Sequence, residues 1–378
     1  MTTASEIPAT VAAATEDQPA ARVALGAALA DPFHAYLFAG PPGSGKAAAA
    51  RALVAELLAD GAPDPDDARR RALADPSPHP DLVWLRPPGT QHLVEEVRDR
   101  VITAVAYRPF EGERRAFVIE FAEAMAEESQ NALLKTLEEP PPFAHLILIT
   151  AEPQALLETV RSRCRELRFT RLAPAAVEAR LEGGDAAERR ALARLCDGDA
   201  GRARFLLGAE GRALRAAVEA VAGAAGSGSL AAAPWTALLD AAEAAGESAA
   251  TTVREQAASA EDEAAERSGQ AARRRAREAE ELAKRASRRT RTQALDLGLG
   301  LLASWLRDLA VTAEGLPDLV LNSDRVAELE AAAAGLDPRR ARRGAELVME
   351  TRRRLQVNVS EALALEALVF RLEFLLGR

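Results

Sequence analysis

Cysteine is nearly absent: Cys164 and Cys196 are the only two in 378 residues. Neither a disulfide framework nor a four-cysteine zinc site can be built from them. No apolar run approaches the ~20 residues a membrane-spanning helix requires. The N-terminal stretch MTTASEIPATVAAATEDQ lacks the basic start and leucine-rich core of a secretory signal. The expectation is a cytoplasmic protein without membrane association. Positive charge is also in deficit, with a formal net charge of −9. That balance disfavours tight binding to duplex phosphates as the main task. Aromatics are only 4% of the chain, whereas alanine, the best intrinsic helix former, is abundant.

What is present falls into a strand-rich first part and a helical remainder. Five short apolar runs, AYLFA (35–39), DLVWL (81–85), RAFVI (115–119), HLILIT (145–150) and RELRF (165–169), suit buried parallel strands. Helical segments separate them, VEEVRDRVITAVA (94–106) being the clearest. The alternation predicts an α/β layer with a five-stranded parallel sheet. Residues 61–80, rich in proline and charge, read as a surface excursion. After residue 170 the strand signal ends. Residues 172–208 read as a small helical unit broken at Gly183-Gly184 and Gly198, and GAAGSGS (223–229) as a flexible break. A long charged helical segment near 236–290 follows, acidic at EDEAAE (261–266) and basic from ARRRAR (272–277). Three domains are expected: 1–170, 171–208 and 209–378, the last entirely α-helical.

The stretch AGPPGSGKAAA (39–49) lies between a strand and a helix, the setting in which a glycine-rich phosphate loop carries meaning. In such loops backbone N–H groups and a lysine surround the phosphates, and a following hydroxyl holds Mg²⁺. Gly40, Gly43, Gly45 and Lys46 meet the first requirement. Ala47 fails the second, because a methyl group cannot coordinate a metal. The acidic strand end that anchors Mg²⁺ and activates water falls at RAFVIEFAEAM (115–125). Where a working site has Asp then Glu, this chain has Glu120 and Phe121. Glu120 is one methylene too long, and Phe121 cannot accept a proton. Glu123 reads as a solvent-facing helix residue. Two independent defects in one chemistry argue against hydrolysis by this chain.

RAFVIEFAEAMAEESQNALLKTLEEPPPFAHLILIT followed by LLETVRSRC resembles the clamp-loader branch of the AAA+ family. NALLKTLEEPP (131–141) and SRC (162–164) are its most specific marks, and HAYLFAGPPGSGK (34–46) fits as well. SWLRDL (304–309), LNSDR (321–325) and NVSEALALEALVFRL (358–372) resemble the family's collar domain. Only about 210–295 lacks clear family marks. The resemblance implies a RecA-like module with helices on both faces of its sheet, a small helical lid and a C-terminal helical collar. It implies a subunit of the bacterial DNA polymerase III clamp loader, a hetero-oligomer that places a sliding clamp on primed DNA. Partners would be the ATPase subunits and the delta subunit, with clamp and DNA reached through the complex. The defects at Ala47 and Phe121 suit a non-hydrolysing structural and regulatory member of that assembly.

The resemblance also assigns residues. The arginine of Ser-Arg-Cys projects into a neighbour's ATP site, which makes Arg163 a catalytic residue in trans. Its planar, permanent charge stabilises negative charge on the transferring phosphoryl group. An arginine bonded to a carboxylate at a domain edge is the bland alternative. Thr150 falls where the family places a polar sensor near the γ-phosphate, although strand termination accounts for it equally. Arg202 falls at a second sensor position in the lid, with an ion pair as the competing role. Leu133, Leu134 and Leu137 form a helical stripe suited to burial on the sheet, and Pro140 to Pro142 end that helix.

Many relatives carry a four-cysteine zinc module after the phosphate loop; here that interval holds no cysteine, and neither zinc nor any other metal is expected. No cofactor is required, and the intact glycines and Lys46 permit ATP or ADP to be held without cleavage. Asn-Val-Ser (358–360) replaces the family's usual Asn-Val-Asn, keeping a short polar residue able to cap a helix. The basic run 271–291 reads as a solvated helix face with i,i+4 pairing such as Glu280–Lys284, because no aromatic interleaves it to stack on bases. An antiparallel hairpin pairing 255–266 with 272–285 would bring opposite charges together. The competing functions are a self-sufficient clamp-loader ATPase, opposed by Ala47 and Phe121, and a nucleotide-holding module without hydrolysis.

Overall fold

The computed structural model describes residues 7–87, 91–228, 232–262, 269–355 and 359–377. These divide into two compact units, Met1–Leu172 and Ala173–Arg378. The first is built on a five-stranded parallel sheet in the order β2-β3-β4-β1-β5. Its strands are β1 (Ala35–Ala39), β2 (Leu82–Leu85), β3 (Arg115–Glu120), β4 (Ala144–Thr150) and β5 (Arg165–Arg168). All five expected strands are present, within two residues of the sequence boundaries.

Period-two alternation sends successive strand residues to opposite faces, and each face is covered. Tyr36, Phe38, Val118, Ile147 and Ile149 belong to one core with α1 (Ala9–Ala14), α2 (Pro19–Ala30) and α3 (Lys46–Ala59). Leu37, Phe117, Ile119, Leu146 and Leu148 belong to the other core. There they meet Leu133 and Leu137 of the NALLKTLEEPP helix, both buried, with Leu134 partly so. Each fully buried side chain of this size contributes roughly 1.5–3 kcal/mol. The sequence 61–80 is more ordered than a surface excursion: α4 (Pro65–Leu73) is capped by the Asp64 carboxylate and buries Ala68 and Ala72. The 94–106 segment is helical but irregular. A four-residue α5 (Val94–Val97) passes into π-helix over Arg98–Thr103 and a 3₁₀ turn over Ala104–Ala106. The helix bearing the leucine stripe, α6 (Glu127–Glu138), stops before Pro140 as expected, and α7 (Glu158–Arg161) leads into β5.

Described residues of the second unit are helical: α8 (Pro174–Glu178), α9 (Ala186–Leu195), α10 (Ala200–Leu207), α11 (Ala209–Ser227), α12 (Trp235–Asp262), α13 (Gly269–Ala313), α14 (Val326–Ala333), α15 (Pro338–Arg354) and α16 (Glu361–Leu376). The break expected over 223–229 falls near its end: α11 continues past Gly223 to Ser227, where Gly228 caps it in left-handed conformation, because Val221, Ala222 and Ala225 are buried and tertiary packing outweighs glycine's weak helix propensity. The charged 236–290 segment forms an antiparallel pair, α12 against α13, with Arg254 bonded to Glu280 and Arg291 to Glu243. Glu280 therefore does not pair with Lys284, which turns to Glu281. The acidic run 261–266 lies mostly outside the described residues. Ser360 occupies the N-cap position of α16 but makes no side-chain cap bond, and Asn358 lies outside the described residues.

Two of the three stretches that resemble a collar, SWLRDL and LNSDR, meet in a buried polar network. Asp308 accepts hydrogen bonds from the Leu321 and Asn322 backbone N–H groups and from Asn322 Nδ2 at 2.8–2.9 Å. Arg215 grips Asp324 through both terminal nitrogens at 2.7 Å. Buried groups bonded to one another in this way fix one geometry, since loss of a partner strands the other without water.

Candidate functional site

The phosphate loop leaves the C-terminal end of β1 and enters α3. Gly45 sits in left-handed conformation with φ 90° at the N-cap of α3, where a side chain would be strained. Gly40 is required for space: a Cβ there would lie 2.4 Å from the Phe169 carbonyl oxygen. Both positions therefore favour glycine. The loop's lysine and several of its carbonyls are bonded within the chain. Lys46 is buried, and Nζ donates to the Gly40 and Pro41 carbonyls at 2.6 Å. Gln18, also buried, ties the loop to the end of β5, donating to Ser44 O at 3.1 Å and Thr170 O at 2.6 Å. Sequence reasoning missed Gln18, because a lone glutamine 22 residues before the loop's first glycine carries no pattern.

The acidic strand end is similarly committed. Glu120 Oε2 accepts from Trp84 Nε1 at 2.9 Å and from Arg86 Nε at 2.7 Å. Arg86 also donates to Asp75, which is paired with Arg51, and the Arg51 guanidinium lies 4.2 Å from the Trp84 ring centroid. Burial pushes Asp75 upward, but hydrogen bonding to Arg86 and the charges of Arg86 and Arg51 hold it below the usual carboxylate value. A carboxylate so neutralised is a poor cation ligand. With Ala47 offering no hydroxyl, this end does not fit a resident Mg²⁺. Phe121 adopts φ 56°, a strained conformation for a residue of its bulk.

Glu123 is not solvent-facing. It sits in a 3₁₀ turn, and its carboxylate accepts from the Ala151 backbone N–H at 3.2 Å, with Oε2 buried and unpartnered. Burial of the turn around Ala122 and Met125 draws it toward the end of β4. Thr150 is buried at that strand end, its Oγ1 accepting from the Glu152 N–H at 3.0 Å, while its carbonyl accepts from the Gly40 N–H. The bond to Glu152 is the local turn that strand termination requires. Arg202 belongs to the second unit, on α10, and is paired with Asp199 at 3.5 Å. The structure thus brings Gly40, Gly43, Gly45, Lys46 and Thr150 to one end of the sheet and places Arg163 elsewhere.

Arg163 lies two residues before the start of β5, whose Arg165 is in register with Tyr36 near the start of β1. The loop follows the other end of β1. At about 3.3 Å per residue, a five-residue strand separates the two by roughly 15 Å. Around Arg163 lies an open depression of about 700 Å³ lined by Phe33, His34, Leu137, Glu138, Cys164 and Arg165, among others. The guanidinium is half-exposed. Nη2 donates to Glu138 Oε1 at 2.6 Å and Nη1 to the Thr159 carbonyl at 2.9 Å. Burial lowers His34 below the ordinary histidine value against the weaker upward pull of a bond to the Leu137 backbone. Burial pushes the Cys164 thiol up to about 12, and its sulfur packs with the core rather than serving as a nucleophile. Cys196 is likewise raised to about 12, by burial first and Asp199 second.

Residues 26–173 match the family described as DNA polymerase III, delta subunit. The chain is 35% identical over 150 residues to the DNA polymerase III subunit delta' of Bacillus subtilis, covering 39% of this chain and 45% of that one. It is 39% identical over 136 residues to the subunit delta' of Pseudomonas aeruginosa, covering 35% and 41%. The matches span less than half the length of these relatives. A crystal structure of a gamma subunit-related protein from Thermotoga maritima aligns over 93% of this chain and 98% of its own, at 14% identity. Its TM-score is 0.39, too low to bear on the fold, which the strand order and helical layers define directly. No described helix is long and apolar enough to cross a membrane.

Proposed function

We propose that this chain, a delta-prime-like clamp-loader subunit by its residues 26–173, is a non-hydrolysing structural and regulatory member of the DNA polymerase III clamp loader. In this reading it stands beside ATPase subunits and the delta subunit in a cytoplasmic hetero-oligomer joined mainly through the collar helices. It reaches the sliding clamp and primed DNA through that complex, and requires neither zinc nor another resident metal. The reading rests most heavily on the separation of Arg163 from the chain's own loop. A guanidinium at the far end of β1 cannot serve a nucleotide in that loop, yet it borders an open depression from which a second chain's triphosphate is reachable. There its N–H donors would meet the negative charge that develops on the transferring phosphoryl group. The pairing of Glu120 with Trp84 and Arg86, together with the missing hydroxyl at Ala47, supports loss of hydrolysis at the other end.

The test is reconstitution with the candidate ATPase subunits, comparing clamp- and DNA-stimulated ATP turnover for the wild-type chain and Arg163→Ala. Reduced turnover with assembly intact is expected. Equal rates in an intact assembly would refute the trans role.

Two observations support other readings. The retained glycine conformations at Gly43 and Gly45 suit nucleotide held without cleavage; equilibrium binding of labelled ATP to the pure chain, against Lys46→Ala, decides that. Thr150 would then lie beside the phosphates, and Arg202 is the weaker second sensor. Glu123, carrying a buried unpartnered oxygen near Thr150, is a group that could restore a base to a self-sufficient ATPase. Turnover by the pure chain that Glu123→Gln abolishes would establish it.

A further inference from the structure

The carboxylate facing Arg163 is placed against the preference of its helix. Glu138 is the last residue of α6, where the helix dipole and the unpaired carbonyls make a negative side chain unfavourable. Glu139 follows directly and adds to the repulsion. Glu138 is exposed and contributes nothing to the leucine stripe that packs α6 on the sheet. Helix stability and core packing therefore give no reason for an acid at this position. Its contact does: Oε1 lies 2.6 Å from Arg163 Nη2.

The second anchor of the same guanidinium is also a helix end. Nη1 donates to the carbonyl of Thr159 in α7, at 2.9 Å. A guanidinium has five N–H donors in one plane. Two are used by these contacts, one on each terminal nitrogen, which fixes the plane and leaves Nε–H and one N–H on each terminal nitrogen for an outside ligand. An arginine otherwise has a long flexible stem whose freedom must be lost each time the group is used. Glu138 and Thr159 together remove that freedom beforehand.

We propose that Glu138 is a positioning residue for Arg163, setting the orientation in which the guanidinium is presented to a neighbouring subunit's triphosphate. The inference rests on the trans role of Arg163 proposed above. It requires an acceptor at Glu138 and, to a lesser degree, its charge. Glutamine keeps the acceptor oxygen in place; alanine removes it.

The experiment uses the reconstituted assembly with full-length chain carrying Glu138→Ala, Glu138→Gln, Arg163→Ala or the Glu138→Ala/Arg163→Ala pair, with Glu139→Gln as a charge control. Clamp- and DNA-stimulated turnover is measured across ATP concentrations, and assembly is checked by sizing. Glu138→Ala should lower kcat about three- to tenfold with little change in KM, since misorientation is felt in the transition state. Glu138→Gln should recover most of the loss, and Glu139→Gln should match wild type. The double variant should be no slower than Arg163→Ala alone, because residues acting through one group are not additive. Wild-type kcat in Glu138→Ala while Arg163→Ala is slow would overturn the positioning role and leave the trans role standing. A double variant slower than Arg163→Ala, or no recovery in Glu138→Gln, would also overturn it. Wild-type turnover in Arg163→Ala would remove the trans role itself, and the positioning role with it.

Discussion

The two ends of the parallel sheet use the same kinds of side chain to opposite effect. At the C-terminal end, a buried lysine, a buried glutamine and a carboxylate are bonded to the chain's own carbonyls, arginine and tryptophan. At the N-terminal end, an arginine is held by only two bonds and borders an open depression. Catalytic machinery depends less on which charged groups are present than on which donors remain unspent. Gly40 has a reason to be glycine that is independent of nucleotide, because it also solves a packing problem against Phe169.

The sharpest way to break the contrast is Arg163→Lys. A single ammonium cannot present the planar fork, so stimulated turnover of the assembly should fall about tenfold or more, close to the alanine variant. Recovery of wild-type rate by lysine would mean that charge alone matters there. At the other end, Gly40→Ala forces a methyl group into the Phe169 carbonyl. It should destabilise the first unit by about 2–3 kcal/mol, read as a lower thermal or urea midpoint. Glu120→Ala strands the Trp84 indole N–H and removes one partner of Arg86. A loss of about 1–2 kcal/mol is expected, with assembly turnover unchanged; a fall in turnover with stability intact would give Glu120 a chemical role.

The smallest expected effect concerns acid. The folded state holds Asp75 below its unfolded value, despite the opposing effect of burial. Its contribution to stability is therefore complete above the ordinary carboxylate range near pH 4 and lost as pH falls through the lower folded value. Removing the partner by Arg86→Ala should flatten this part of the stability–pH profile. An unchanged profile would show that the Arg86 contact contributes nothing measurable.

Much of the fold was legible because its signals are local and repeated. Five apolar runs bounded by turns located the strands, and the Leu133/Leu137 stripe located the face of α6. The order of strands, and with it the placement of Arg163 opposite the loop, was not written in any local pattern. Gln18, Arg86 and Glu138 were missed for a common reason: each acts through a partner distant in sequence, and a single polar residue carries no periodicity. Glu123 was misread because burial of the turn around it outweighed its charge. The glycines at 223 and 226 suggested a break, yet buried neighbours on α11 held the helix together.

The most direct test sets the two ends against each other in one assembly. Lys46→Ala and Arg163→Ala are each reconstituted with the ATPase subunits, and clamp- and DNA-stimulated ATP turnover is measured. With assembly intact, the lysine variant should stay within about twofold of wild type while the arginine variant loses about tenfold or more. Loss on removing Lys46, with Arg163→Ala unaffected, would contradict the account.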